Sequence, residues 1–359
     1  MRWQPKCTRP EFGKEFPAGG PEPTLMRRLL YLAGIAVLPF VLILLARGAT
    51  GLASRILERR YPPPGRMVPV GNYRLQLFCS GSGSPTIIIE PGMGVDWVGW
   101  RLVIPQLAAA HRVCVYDRAG YGWSDAGPMP RTALRESGEL HLLLTRAGIA
   151  PPYLLVAHSF GGYIARLYAS QFAGTLAGVV LVDPSLEDEP ATAHAPRQPQ
   201  ARRLRDLIPP LGIERLKRMD RGDEALPGDL RHAPPVYRER YLIASSLAQL
   251  AAEHSEFTSL DLTWAQVRRA VFPRDLPLTV ITAVHLGRAD VDPTELPAEH
   301  RELQARLAHS SRFGRQIIAR RSGHMVPLDE PQVIVDAVRE IIAPPRLMPQ
   351  DTAGFQKPL

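Results

Sequence analysis

Cysteine is scarce in this chain: 359 residues contain three, Cys7, Cys79 and Cys114. They show no CxxC spacing and no even count, which excludes a zinc ribbon, a thioredoxin-like motif and a disulfide framework. Cys79 and Cys114 fall in strand-like runs, where a buried free thiol is the expectation. A glycine period is also missing, because the 29 glycines and 36 prolines are scattered, so a collagen-like chain is excluded. Lysine is rare as well. The 43 Lys+Arg against 35 Asp+Glu give a net charge of +8, but the basic residues are almost all arginine, without a basic run interleaved with aromatics. Nucleic-acid binding is therefore not expected. At 45% hydrophobic and 22% charged residues the composition is that of a globular protein, long enough for one large or two small domains.

One long apolar run is present. Leu29 to Ala46 reads LLYLAGIAVLPFVLILLA, eighteen uncharged residues between Arg27-Arg28 and Arg47. That is about the minimum length that spans a bilayer. It exceeds a usual signal-peptide core and no clean A-x-A site follows, so an uncleaved anchor over 29–46 is expected. Basic residues stand on both sides, so the positive-inside rule assigns no orientation, and a cleaved segment implies export. Residues 1–28 are expected to be a disordered tail rich in Pro, Gly and charge. Met26 before Arg-Arg and the apolar run reads as the natural start, and a native peptide map lacking residues 1–25 is the expectation that goes with it. Residues 47–66, ending in Tyr61-Pro-Pro-Pro-Gly65, are expected to be a stiff linker.

From Met67 onward strands and helices alternate. Met67–Val70 and Tyr73–Cys79 flank Gly71-Asn72 as a hairpin, and TIIIE (86–90), RVCVY (112–116), YLLVA (153–157), GVVLVD (178–183), LTVIT (278–282) and RQIIA (315–319) are short β-branched runs. Helical stretches are expected near 97–109, 132–147, 160–173, 297–309 and 331–342. Such alternation implies a mostly parallel sheet with helices on both faces. It divides the chain into a first core half, 67–184, a charged, helix-leaning insertion, 185–275, placed to act as a lid, a second core half, 276–345, and a flexible tail, 346–359.

Three places carry chemistry. YLLVA runs into His158-Ser159-Phe160-Gly161-Gly162 and then a helix, so Ser159 sits at a strand–turn–helix elbow with the small residues Ala157 and Gly161 two positions to each side. TIIIE is followed by Pro91-Gly92-Met93-Gly94, a turn whose Met93 N–H can join the Phe160 N–H as an oxyanion hole. RQIIA leads to Arg320-Arg321-Ser322-Gly323-His324, which puts a histidine after the last strand and last in chain order, as a base for a serine nucleophile requires.

These motifs together resemble the α/β-hydrolase fold family. Residues 67–184 and 276–343 carry the likeness, and YPPPGR, EPGMG, YDRAGYGWSD, AHSFGG and VLVDP are similar to a bacterial subgroup of membrane-anchored or secreted serine hydrolases. The resemblance implies a central, mostly parallel sheet, a helical lid and a Ser-His-Asp triad, and it assigns Asp117 and Asp125 structural roles. It puts the acid after LTVIT, but Thr282 is followed there by Ala283-Val284-His285-Leu286. Asp183, at the strand tip in VLVDP, and Asp290, in Gly287-Arg288-Ala289-Asp290, remain alternatives. Arg118, Trp97, Trp100 and Trp123 are candidates to line the pocket, beside their reading as packing residues. The expected activity is cleavage of an ester or related acyl bond of a small or lipophilic substrate through an acyl-enzyme, with no cofactor and no metal. An acyltransferase or cofactor-free haloperoxidase-like enzyme on the same triad, and a silent binding module of the same fold, are the alternatives. Oligomeric state is not legible.

Overall fold

The computed structural model describes residues 25–188, 220–221, 224, 226, 230–244, 246–286 and 294–343. The expected runs form eight strands: β1 (Arg66–Val70), β2 (Tyr73–Ser80), β3 (Thr86–Glu90), β4 (Val113–Tyr116), β5 (Tyr153–His158), β6 (Leu176–Val182), β7 (Leu278–Ala283) and β8 (Gly314–Ala319). They lie side by side in the order β1-β2-β4-β3-β5-β6-β7-β8. β1 with β2 and β2 with β4 are antiparallel, and every later pair is parallel. This is the α/β-hydrolase fold.

Alternation along the strands sorts the side chains into two layers. Ile87, Ile89, Leu154, Val156, Val180 and Val182 join one buried cluster, against α2 (Ile104–Ala108) and, at the far end of the chain, Pro331–Ile342. Ile88, Leu155, Ala157, Val179 and Leu181 join the other. That face is covered by α3 (Ala133–Arg146), α4 (Gly161–Phe172) and the helix Ala298–Ala308. Within the insertion, the described helices are α5 (Pro235–Ile243), α6 (Leu247–Thr258) and α7 (Leu260–Arg269). In chain order the remaining helices are α8 (Ala298–Ala308), α9 (Val326–Asp329) and α10 (Pro331–Ile342).

Two expectations fail. Cys79 and Cys114 are not free thiols but a disulfide. The β2–β4 register sets them directly opposite each other, with Cα atoms 4.1 Å apart, close to the spacing of opposed antiparallel residues. A pair that depends on strand register leaves no local spacing signal. The second correction is at the amino end. One helix, α1, runs unbroken over Leu25–Arg60, so residues 25–28 are not a disordered tail and 47–60 are not linker. The stretch RGATGLASRILERR has no proline and several good helix formers. Pro62 disfavours helical backbone at Tyr61 and so ends the run. By length and composition, Val37–Arg60 can cross a membrane, an 18-residue window of it having mean hydropathy 1.8. Tertiary contacts divide the chain into Met1–Gly48 and Ala49–Leu359. In the first unit Leu32, Val37, Leu38, Leu42 and Leu45 are exposed, while in the second Ala53 and Leu57 are buried.

Candidate active site

The strand order reverses at β3: β4 lies on one side of it and β5 on the other. At such a switch point the connections leave in opposite directions, and a crevice opens beyond the carboxyl ends of the two central strands. Here those ends are Glu90, which runs into the turn 91–94, and His158, which runs into Ser159. Ser159 has φ +54°, a left-handed conformation that costs a non-glycine residue free energy and that the neighbours must hold in place. Its N–H donates to Val182 O at 3.2 Å, and its carbonyl accepts from Gly162 N at 2.8 Å and Ser185 N at 3.2 Å. Gly161 is required for space, because a Cβ there would stand 2.6 Å from Glu90 O and 2.8 Å from Pro91 O. The helix start is thereby pressed against the turn after β3.

His324 occupies the loop between β8 and α9. Its Nδ1 stands 2.7 Å from Asp183 Oδ2 and its Nε2 3.0 Å from Ser159 Oγ. A carboxylate accepts only, so Nδ1 carries the proton and Nε2 is left to accept from the serine hydroxyl. The loop is held from behind: His158 donates from Nε2 to His324 O at 2.8 Å, and Gly323 N donates to Asp329 Oδ2 at 3.1 Å. Asp183 is fully buried and has φ +41°. Its Oδ1 accepts from Ala283 N, His300 Nε2 and Gln304 Nε2, each at 3.1 Å. His300 and Gln304 are one helical turn apart on α8 and face the same carboxylate. Asp290 lies outside the described residues. Of the sequence candidates, the structure brings Ser159, His324 and Asp183 into one contact line.

Across the crevice the turn Pro91–Gly94 is fastened by Arg118. Its Nη1 donates to Pro91 O at 2.7 Å and its Nη2 to Gly92 O at 3.0 Å, and Tyr121 OH accepts from Gly94 N at 3.2 Å. Among the described residues neither the Met93 nor the Phe160 N–H has a hydrogen-bond partner. Arg118 also meets Glu90 Oε1 at 2.9 Å and Glu256 Oε1 at 3.0 Å, while Arg131 holds Glu136 and Glu139. Four carboxyls thus share two guanidiniums, more negative charge than a buried cluster can carry. Burial pushes Glu90 up to about 7, and burial followed by Glu256's charge raises Glu136 well above the usual carboxyl range. Arg118, Trp97, Trp100 and Trp123 are all buried, so Arg118 holds the turn from behind and the tryptophans pack in the interior. Asp117 binds Arg240 at 2.8 Å and Asp125 binds Arg74 at 2.9 Å, both away from Ser159's contacts. Among the described residues no cluster of His, Cys, Asp and Glu is arranged to hold a metal.

Residues 77–337 match the model of the alpha/beta hydrolase family. The chain belongs to that family. It is 27% identical over 303 residues to a probable transporter, efuK, of Hormonema carpetanum, a match covering 77% of this chain and 42% of that one. It is 31% identical over 157 residues to the 2-hydroxymuconate semialdehyde hydrolase of a Pseudomonas strain, covering 41% and 55%. The chain thus spans about half the length of these relatives. The enol-lactonase structure from Burkholderia xenovorans superposes with a TM-score of 0.54 at 20% identity, covering 77% of this chain and 99% of that one. Hydrolases are among the homologues of this alpha/beta hydrolase. What the sequence did not reveal is the pair His300 and Gln304; the only trace is their i, i+4 spacing in an otherwise ordinary helix.

Proposed function

We propose that this family member is a serine hydrolase that cleaves an ester of a small or lipophilic acyl substrate through an acyl-enzyme. The observation that supports this reading is the line Asp183–His324–Ser159, with contacts of 2.7 and 3.0 Å, ending on a strained serine at the topological switch point. His324 Nε2 takes the proton as Ser159 Oγ bonds to the substrate carbonyl carbon, and the carbonyl π electrons move to oxygen. The N–H groups of Phe160 and Met93 receive that oxyanion. When the intermediate collapses, the alkoxide leaves with the proton from His324. Water, deprotonated by His324, then adds to the acyl carbon, and collapse of that second intermediate breaks its bond to Ser159 Oγ, which takes the proton back from His324 as the acid product leaves. Asp183 stays ionised throughout, fixes the imidazole tautomer and stabilises its protonated form.

The lipophilic class is supported by α1, which serves as a membrane anchor in this reading. The disulfide between Cys79 and Cys114 supports an oxidising compartment for the hydrolase unit. The test is hydrolysis of p-nitrophenyl esters of increasing acyl length by detergent-solubilised full-length protein. Wild type is expected to turn over at least one ester, and Ser159→Ala and His324→Ala each to lose about 10⁴-fold or more in kcat. Equal turnover by wild type and Ser159→Ala would contradict the proposal.

A further inference from the structure

Arg118 connects three parts of the molecule that the sequence keeps far apart. It follows β4, its guanidinium donates to the carbonyls of Pro91 and Gly92, and α6 of the insertion holds it through Glu256, which accepts from Nε at 3.0 Å and from Nη2 at 3.3 Å. Tyr121 closes the circuit: its hydroxyl donates to Glu256 Oε2 at 2.7 Å while accepting the Gly94 N–H. The packing leaves little slack, since a Cβ on Gly120 would stand 3.0 Å from both Ala248 O and Ala252 Cβ of α6.

The peptide unit between Gly92 and Met93 makes these contacts consequential. A trans peptide is planar, with its C=O and N–H pointing in opposite directions. Fixing Gly92 O on the Arg118 guanidinium therefore fixes the direction of the Met93 N–H. A charged donor on the carbonyl also polarises the amide and strengthens its N–H as a donor. We infer that Arg118 and Glu256 are positioning residues for the oxyanion turn, through which the inserted segment sets the transition-state stabilisation of the site. This rests on the acyl-transfer reading given above. A packing role alone does not account for the arrangement, because replacing a buried ion cluster by apolar side chains is often neutral or stabilising, whereas only a rigid fork of donors holds two successive carbonyls.

The test compares wild type with Glu256→Gln, Tyr121→Phe and Glu139→Gln. Glu139 belongs to the same buried cluster but touches Arg131 and Tyr73 rather than the turn, so its variant controls for lost stability. Ester hydrolysis and the affinity for a trifluoromethyl ketone, whose hemiketal carries the oxyanion, are measured below each variant's melting range. Glu256→Gln and Tyr121→Phe are expected to lose about 10- to 100-fold in kcat, less than outright removal of an oxyanion donor costs. KM should stay within about 2-fold, with ketone affinity falling in parallel and Glu139→Gln like wild type. Folded Glu256→Gln with unchanged kcat and ketone affinity, or a loss shared equally by Glu139→Gln, overturns the inference alone. A wild type that neither hydrolyses esters nor reacts with a fluorophosphonate overturns the acyl-transfer reading and this inference with it.

Discussion

The two walls of the crevice are built on opposite electrostatic plans. On the side of β5 to β8, Asp183 is buried among His324, His300, Gln304 and a backbone N–H. These neutral donors satisfy a carboxylate without a formal counter-charge. On the side of β3 and β4, Glu90 is equally buried, yet it faces Arg118 and Tyr116 with other carboxyls close by. In the proposed acyl transfer, a carboxylate facing a transient imidazolium needs its charge undiluted, which neutral donors preserve. A carboxyl that only braces a turn can share arginines and carry a proton instead.

The largest expected effect breaks the first wall. Asp183→Asn keeps the shape but leaves Nδ1 of His324 without its anionic acceptor, so kcat should fall by about 10⁴ with the melting temperature little changed. Steady-state ester hydrolysis and a thermal melt check both halves of that statement. On the second wall, the disulfide ties β4 to β2 across a sequence separation of 35. Its reduction should cost about 2–4 kcal/mol, read as a lower denaturant midpoint with and without reductant.

Glu90 separates the walls by pH. Its folded-state value of about 7 lies above the ordinary 4.5, so the folded protein holds this proton more tightly than the unfolded chain. Its contribution to stability is full below about 4.5 and is lost as pH rises toward 7. Glu90→Gln should flatten the fall of stability across that window by on the order of 2–3 kcal/mol, seen in melts at pH 4.5, 6 and 7. The smallest effect is His300→Ala, which removes one of three donors to Asp183 Oδ1. A loss of about 10-fold in kcat/KM is expected, measured by steady-state ester hydrolysis.

These contrasts also mark what the sequence makes legible. Strand and helix alternation is a local signal, and the elbow at Ser159 and the loop at His324 announce themselves through their flanking strands. The choice between Asp183 and Asp290 is not local, because His324 lies 141 residues beyond Asp183 and strand order alone brings them together. The disulfide depends on the register of β2 against β4, and the Arg118 cluster on Glu256, 138 residues away in an insertion. Pairings of that range leave no periodicity. At the amino end the expected boundary at Ala46 is wrong for a local reason: the polar content of 47–60 conceals good helix formers that continue α1 to Arg60, where the proline run stops it.

The central claim is that Ser159 is the nucleophile activated by His324. Peptide mapping by mass spectrometry after treating the folded, full-length protein with a fluorophosphonate tests it most directly. The expected result is one adduct, on the peptide carrying Ser159, and none in Ser159→Ala. An adduct on Ser185, whose hydroxyl stands 3.4 Å from that of Ser159, or a folded wild type without any adduct, would contradict it.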